Sequence, residues 1–426
     1  MSTSAPLTGP DWRELENLLG AEALRRMERA IFPANAEQTA ALARWAGSHG
    51  IMLRPGGETR RDAETSGLRV DFSRLQATRF YEPNDLTAGF EAGMAITDLE
   101  KILGAQSQFL PFDIPRNGKR KLGSAMGEHA SGPLRQAYGT MRDFTIGIEF
   151  ISGRGEIVHA GGRVVKNVAG YDLMKLLIGS RGSLGLITGV NFRVFPRPRA
   201  TATHLIEVPR LEDAERLRQA IQASWLRPLA FELYTAETSS PSSWLAAIRF
   251  TGGEATLVRC RQDLQAIAAK LGLVVRDVLK EDEPEFWNIY AKRAPFESGC
   301  WLHLSAPPAL GAAALAICQE VLQAGTGARP GAMLEFQGRL SLGVYRLHRG
   351  TPPDSATLAC CRQRLRQIGY SGWGDTGADI HLSWPEASTP ADRWGEWTQD
   401  RELMRQIKME LDPLRIFPDP FGLLSA

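Results

Sequence analysis

Two hydrophobic periods run through the chain and divide it into helical and extended stretches. Asn35 and Gln38 have capping-box spacing, and Ala41, Leu42 and Trp45 follow at helical period until Gly47 and Gly50 end the run. Residues 1–30 read as a helical lead-in. A second capping-box pair, Thr97 and Glu100, predicts a helix with Ile96, Leu99, Ile102 and Leu103 on one face. Between them lies a short strand, Ile51-Met52-Leu53. A half-buried strand follows, in which Val70 and Phe72 alternate with Asp71 and Ser73.

Phe144, Ile146, Ile148 and Phe150 alternate strictly, and with the turn Ser152-Gly153-Arg154-Gly155 and Glu156-Ile157-Val158 they predict a hairpin. A helix over 172–178 leads to a glycine-rich stretch and then a strand with Val190, Phe192 and Val194 on one face. Phe195-Pro196-Arg197-Pro198-Arg199 is a stiff basic break, which sets an expected boundary between domains 1–199 and 200–426. Beyond it, helical patterns fall near 212–224, 264–271 and 312–324, and strand patterns at 246–250 and 340–347. The last helix places Leu403, Ile407 and Leu411 on one face and is expected to pack back on the first domain. The pattern as a whole is α+β.

Composition adds three facts. The 426 residues include 42 glycines, and 15 of these fall between Gly118 and Gly189. Lysine plus arginine exceeds aspartate plus glutamate by 50 to 48, so no global field for nucleic acid or membrane is implied. No apolar run approaches the roughly 18 residues of a membrane helix, and the start lacks a basic stretch followed by an apolar one, so neither a span nor a secretory signal is expected. The five cysteines, Cys260, Cys300, Cys318, Cys360 and Cys361, form no C-x-x-C and read as free thiols in a reducing, cytoplasmic setting. The seven histidines are scattered, so no metal site is expected.

Glycine lets main-chain N–H groups approach a ligand, and successive N–H groups make anion nests. On count alone, a turn-rich β region that merely needs positive φ is the favoured reading. The P-loop pattern is absent, and so is G-x-G-x-x-G; Gly179, Gly182 and Gly185 are spaced G-x-x-G-x-x-G. The G-x-S-x-G of a serine hydrolase is absent too.

Four motifs in order carry a family resemblance. Leu53-Arg54-Pro55-Gly56-Gly57-Glu58-Thr59 resembles the first pyrophosphate loop of PCMH-type FAD-binding domains, in the vanillyl-alcohol-oxidase superfamily. The run from Leu122 to Pro133 with Tyr138-Gly139-Thr140-Met141-Arg142-Asp143 resembles the second flavin loop. Residues 164–173 are similar to a segment of the glycolate and D-lactate oxidoreductase branch, and Gly179 to Thr188 resembles the closing flavin motif. The resemblance is strong over about residues 30–200, weak to 400, and returns faintly at Leu411-Asp412-Pro413. Within the superfamily the chain is most similar to the FAD-binding subunits of bacterial glycolate oxidase complexes.

The resemblance implies a PCMH-type domain of two α+β subdomains plus a C-terminal α+β cap. It implies that Arg54, Pro55, Gly56, Gly57, Glu58 and Thr59 wrap the FAD pyrophosphate, and that Gly123, Ser124 and Gly132 line flavin and pyrophosphate. Asp143 would sit near the nucleotide half, and Gly185 and Ile187 would meet the adenine side through their backbone. Glu58 stands where some relatives carry a flavin-linking histidine, and no cysteine precedes Cys260, so non-covalent FAD is expected; His129 reads as a loop histidine. Phe417-Pro418-Asp419-Pro420 replaces the family's Phe-Asn-Pro-Gly, which puts a flavin contact there in doubt.

No catalytic residue is assigned. Gly374-Asp375-Thr376-Gly377-Ala378-Asp379-Ile380-His381 keeps only one histidine of the segment that catalytic relatives carry, so His381 is a candidate base. Arg339 and Arg346 are candidate carboxylate ligands, placed by their spacing on opposite faces of one strand. Arg116, Lys119, Arg120 and Lys121 form a basic run that suits phosphates, a partner or solvent, and Lys166 and Asp172 bracket a turn. The implied activity is oxidation of glycolate to glyoxylate by a complex with a second flavoprotein subunit and an iron–sulfur subunit, located in the cytoplasm or at the inner face of the membrane through those partners. The alternatives are a self-sufficient FAD-linked D-2-hydroxyacid dehydrogenase and a non-catalytic assembly or electron-relay subunit.

Overall fold

The computed structural model describes residues 7–56, 67–113, 120–164, 171–235, 244–292, 300–324, 335–349, 353–368, 379–382 and 400–424. They divide into two compact units. The first comprises Met1–Ser131, Gly139–Arg197 and Thr398–Ala426; the second comprises Gly132–Tyr138 and Pro198–Trp397.

The first unit holds two main sheets. A small one has the order Leu24–Arg25, Ala30–Ile31, Leu68–Val70, Leu53–Pro55, and its last two strands run parallel. Helices Gly9–Leu19 and Ala36–His49 belong to its core, where Leu15, Leu42, Leu53, Leu68 and Val70 are buried. The cap of the second helix forms: the Gln38 N–H donates to Asn35 Oδ1 at 2.8 Å, and Gln38 Oε1 accepts from the Ala34 N–H at 2.8 Å. The Thr97/Glu100 box does not form. Helix Ile96–Gly104 starts two residues earlier, because an antiparallel bridge pairs Ala95 with Lys121 and gives the Ile96 N–H an acceptor, Arg120 O, at 3.0 Å. A tertiary bond thus replaces the side-chain cap.

The larger sheet of this unit is antiparallel, in the order Thr78–Glu82, Thr87–Glu91, Leu186–Arg193, Thr145–Ile151, Ile157–Gly161. Phe90, Val190, Ile148 and Ala160 are cross-strand neighbours and therefore share one face. That face joins Leu99, Leu122 and Met126 in a second core. The opposite face carries Gly89, Asn191, Gly147 and Gly161 in register. Part of the glycine excess is therefore a packing feature: a side chain on Gly147 would meet the Asn191 amide.

The second unit is one eight-stranded antiparallel sheet. Its order is Val275–Asp277, Thr201–Val208, Trp244–Thr251, Ala230–Thr235, Glu335–Arg339, Val344–Arg349, Cys300–Ser305, Asp379–Leu382. Helices Leu211–Gln222, Glu254–Lys270, Gly311–Ala324 and Ser355–Gln367 contribute to one core with Phe231, Leu233, Phe336, Leu347, Leu302 and Leu304, and helix Glu283–Lys292 joins Ala230, Tyr234 and Ala247 in a smaller cluster on the sheet's other face. The strand expected over 340–347 is instead the turn and second arm of a hairpin. Arg339 pairs with Val344, and Gln337 pairs with Arg346. Gly343, at φ +64°, closes the turn where any Cβ would overlap Ala306 O. The reversal restores parity, so Arg339 and Arg346 lie on the same face of the sheet, not on opposite ones. Cys260, Cys318, Cys360 and Cys361 are free thiols.

The final helix, Asp400–Leu411, belongs to the first unit. Ile407 and Leu411 pack there, but Leu403 is 58% exposed. The residue buried from this helix is Lys408.

Candidate cofactor-binding site

Three glycine-bearing segments of the first unit converge. The first leaves strand Leu53–Pro55. Arg54 is half-buried, and its Nε is buried without a partner among the described residues. The Gly56 N–H donates to Val70 O at 3.1 Å. Gly57, Glu58 and Thr59 lie outside the described residues.

The second segment is helix Leu122–Gly127. Gly123 approaches Ala92 so closely that a Cβ would stand 3.0 Å from the Ala92 methyl, and its N–H donates to Ala92 O at 2.7 Å. The Ser124 N–H finds no acceptor among the described residues. Lys121, just before this helix, places its Nζ 2.7 Å from Asp71 Oδ1, while Arg69 Nη1 lies 3.0 Å from Asp71 Oδ2. Asp71 is buried, which raises its pKa, but Lys121 and the Ser73 N–H outweigh that, and the carboxyl titrates below the usual aspartate range. The alternation at 70–73 puts Asp71 on the polar side of a half-buried strand; in the fold it is an internal staple between strand Leu68–Val70 and the second segment.

The third segment is the loop Gly179–Gly185. It is sewn to the second by Gly179 N–H to Met126 O at 3.0 Å and Arg181 N–H to Gly127 O at 2.9 Å. It meets the first at Gly182, where a Cβ would overlap the Pro55 ring. Ser180 Oγ is buried without a partner among the described residues. The N–H groups of Gly182, Leu184 and Gly185 also find no acceptor among them. Gly185 packs against the Phe150 ring, and Ile187 pairs with Phe150 in the sheet, next to a bulge.

Two other expected site residues have different settings. Asp143 caps the short helix Met141–Phe144, its Oδ2 accepting from the Thr140 N–H at 2.6 Å and the Thr140 hydroxyl at 2.8 Å. Gly132 begins the stretch of chain that belongs to the second unit, and its carbonyl accepts from Arg339 Nε at 2.9 Å. Of the basic run, Arg120 pairs with Glu128 at 2.6 Å, and Arg116 and Lys119 lie outside the described residues, as does Lys166. Asp172 pairs with Lys175 at 2.9 Å. His129, at φ +50°, packs its Cβ against Gly179. Asp419 accepts from the Leu423 and Leu424 N–H groups at 2.9 and 2.8 Å, so it closes the last turn of the chain.

The convergence offers several open N–H groups, an orphaned hydroxyl, an orphaned guanidinium nitrogen and backbone that a Cβ would obstruct. Such a donor set fits the phosphates of a dinucleotide. Residues 27–161 match the family described as an FAD binding domain. The chain carries an FAD-binding domain of the PCMH type. Its cofactor is FAD.

The chain is 33% identical over 184 residues to glycolate oxidase subunit GlcE of Escherichia coli strain K12, covering 43% of this chain and 50% of that protein. It is 27% identical over 240 residues to glycolate oxidase subunit GlcD of Bacillus subtilis strain 168, covering 54% and 51%. The chain thus spans about half the length of these curated relatives. Among solved structures, an alkyldihydroxyacetonephosphate synthase superposes with a TM-score of 0.69 at 16% identity, over 98% of this chain and 86% of that one. The α+β fold is that of the PCMH-type flavoproteins. Among the described residues no helix is long and apolar enough to cross a membrane, and no cluster of side chains could hold a metal ion.

Three features escaped the sequence reading. The Asp71–Lys121 pair joins residues fifty apart and left no local signal. Ser180 lies within the Gly179–Thr188 motif, but the motif assigns it no role of its own. Lys408 and Asp412 did leave one: they stand at i and i+4, the spacing of a helical ion pair.

Proposed function

We propose that the protein is the FAD-binding subunit of a complex that oxidises a small 2-hydroxy acid, glycolate, to the 2-oxo acid glyoxylate. FAD is held without a covalent link by Arg54 to Thr59, Gly123, Ser124, Gly132, Asp143, Gly185 and Ile187. A second flavoprotein subunit and an iron–sulfur subunit pass the electrons on, since this chain has no cysteine set for a cluster. The assembly is cytoplasmic or held at the inner face of the membrane by its partners. The similarity to two glycolate oxidase subunits supports the substrate and the partners.

The observation that carries the activity is a polar row on the second unit's sheet. Tyr234, Gln337, Arg346 and His303 are successive cross-strand partners on four strands and share the face opposite the Phe231–Leu347 core, and His381 is the next residue in register. Arg346 and His303 are half-buried. A 2-hydroxy acid needs a cation for its carboxylate and a base for its hydroxyl proton. Arg346 supplies the first with a planar fork, and His303 the second. Arg339, on the same face, donates to Gly132 O and lies 3.6 Å from buried Glu232, so it positions backbone. FAD, when bound, supplies the two-electron acceptor for the carbon-bound hydrogen.

Anaerobic rapid mixing of the FAD-loaded chain with glycolate or D-lactate, alone and with the other subunits, tests this reading. Bleaching by glycolate in the assembled complex is expected. Fast bleaching of the lone chain by D-lactate would favour the self-sufficient dehydrogenase, and no bleaching of this chain's flavin in any assembly would leave only a structural role.

A further inference from the structure

Helix Asp400–Leu411 buries a lysine where its pattern calls for an apolar residue. Lys408 has no exposed surface. Its Nζ reaches Asp412 Oδ2, Ser183 O at 2.7 Å, Phe417 O at 3.3 Å and Pro418 O at 3.5 Å. Asp412 in turn accepts from the Ile416 and Phe417 N–H groups at 2.9 and 3.0 Å. One ammonium therefore fastens three pieces of chain: the helix, the 416–418 turn and the loop Gly179–Gly185. Burial pushes the Lys408 pKa down and the Asp412 pKa up, each opposed by the partner's charge.

The bond to Ser183 has a directional consequence. In a trans peptide the C=O of one residue and the N–H of the next point to opposite sides of the chain. Drawing the Ser183 carbonyl inward to Lys408 turns the Leu184 N–H the other way, and that N–H has no acceptor among the described residues. The Ser183 N–H and hydroxyl both donate to Ser180 O, at 3.0 and 2.7 Å, so the residue's other donors are committed within the loop.

We propose that Lys408 is a positioning residue for the cofactor: it locks the Ser183–Leu184 peptide in the one orientation that presents the Leu184 N–H to an acceptor atom of bound FAD. This rests on the reading of Gly179–Gly185 as an FAD loop. The lysine acts through the peptide and touches no reacting atom. Its charge is balanced by Asp412, so the pair leaves no net charge for the dinucleotide to overcome.

The test uses apoprotein of the full chain, FAD titration by quenching of flavin fluorescence, and amide hydrogen exchange. Lys408→Met/Asp412→Leu removes both charges without leaving either one buried alone. It is expected to fold, to bind FAD at least about tenfold more weakly, and to exchange faster at Gly179, Arg181 and Ser183. Lys408→Gln, which keeps a donor for Ser183 O, is expected to recover part of the affinity. A folded double variant with wild-type FAD affinity and wild-type loop exchange would overturn the proposal. If the double variant does not fold, the wild type decides: FAD must slow exchange at the Leu184 amide, and unchanged exchange there with FAD bound overturns the proposal. A wild-type chain that binds no FAD at all would instead defeat the cofactor-site reading on which it rests.

Discussion

Lys121 Nζ stands 2.7 Å from Asp71 Oδ1, and this contact ties the small mixed sheet to the segment that carries Gly123 and Ser124. Asp71 is almost fully buried, with a side-chain exposure of 3%, whereas Lys121 keeps 20%. Removing Lys121 leaves the carboxylate with Arg69 and the Ser73 N–H only. Lys121→Met is therefore expected to lower stability by about 2–3 kcal/mol, somewhat under the full cost of orphaning a buried charge because Lys121 is partly hydrated. Urea unfolding measures this. Lys121→Met/Asp71→Leu should lose less than the single variant, and an equal or larger loss would show that the pair is not the source.

The same pair sets a pH dependence. The folded-state pKa of Asp71 lies below its ordinary value of 3.8, so its contribution is fully present above that value and is lost as pH falls through the lower folded-state value. Wild type and Asp71→Asn are expected to differ in Tm by a constant amount from neutral pH down to about pH 4, and to converge below it. A difference that already closes between pH 7 and pH 5 would point to another group.

The segments expected to hold the cofactor are local in sequence: Arg54 to Gly56, Gly123-Ser124 and Gly179 to Gly185 are contiguous motifs, and at Gly123, Gly182 and Gly185 a Cβ would crowd Ala92, Pro55 and Phe150. What was illegible depends on distant chain. Arg339 and Arg346 looked like opposite faces of one strand because a hairpin turn cannot be seen in parity alone; the turn adds residues and reverses direction. The Thr97/Glu100 box yielded to a bond from Ile96 to Arg120. Leu403 and Lys408 exchanged roles, the leucine exposed and the lysine buried, because Ser183 and the 416–418 turn supply acceptors that no helical wheel contains. Even the glycine excess has two origins, loops such as Gly179–Gly185 and the outer face of the antiparallel sheet at Gly89, Gly147 and Gly161.

Gly182 allows a clean test of the loop contact. It sits at φ +77° against the Pro55 ring, whereas Gly272, at φ +71°, has nothing within 4 Å of where a Cβ would stand. Gly182→Ala and Gly272→Ala share the backbone strain of about 1 kcal/mol, but only the first displaces Pro55. Gly182→Ala is expected to bind FAD at least about tenfold more weakly, a loss of roughly 1.4 kcal/mol. Gly272→Ala should leave FAD binding unchanged. Equal FAD affinity in the two variants would separate Pro55 and Gly182 from the cofactor.

The flavin is expected to leave with the supernatant when the holoprotein is precipitated with acid. Yellow colour and fluorescence that stay with the pellet would mean a covalent bond. His129 is then the first residue to replace, because it follows the second segment directly and lies beside Gly179, its Cβ 3.3 Å from where a Cβ on Gly179 would stand.

Arg346 and His303 face each other across neighbouring strands, so their variants should split cleanly. Arg346→Met removes the carboxylate partner: the 2-hydroxy acid should bind about 100-fold more weakly, and Arg346→Lys should recover only part of that, because an ammonium cannot match the two carboxylate oxygens with a planar fork. His303→Gln keeps the size and a hydrogen-bonding tip but loses the base. Its flavin reduction rate at saturating substrate should fall by roughly 10²–10⁴-fold. The acid limb of the wild-type pH profile should vanish with it. Stopped-flow flavin absorbance at several pH values reads both effects. A His303→Gln protein that keeps the wild-type acid limb would move the base elsewhere, and the row then directs attention to His381, one strand further along the same register.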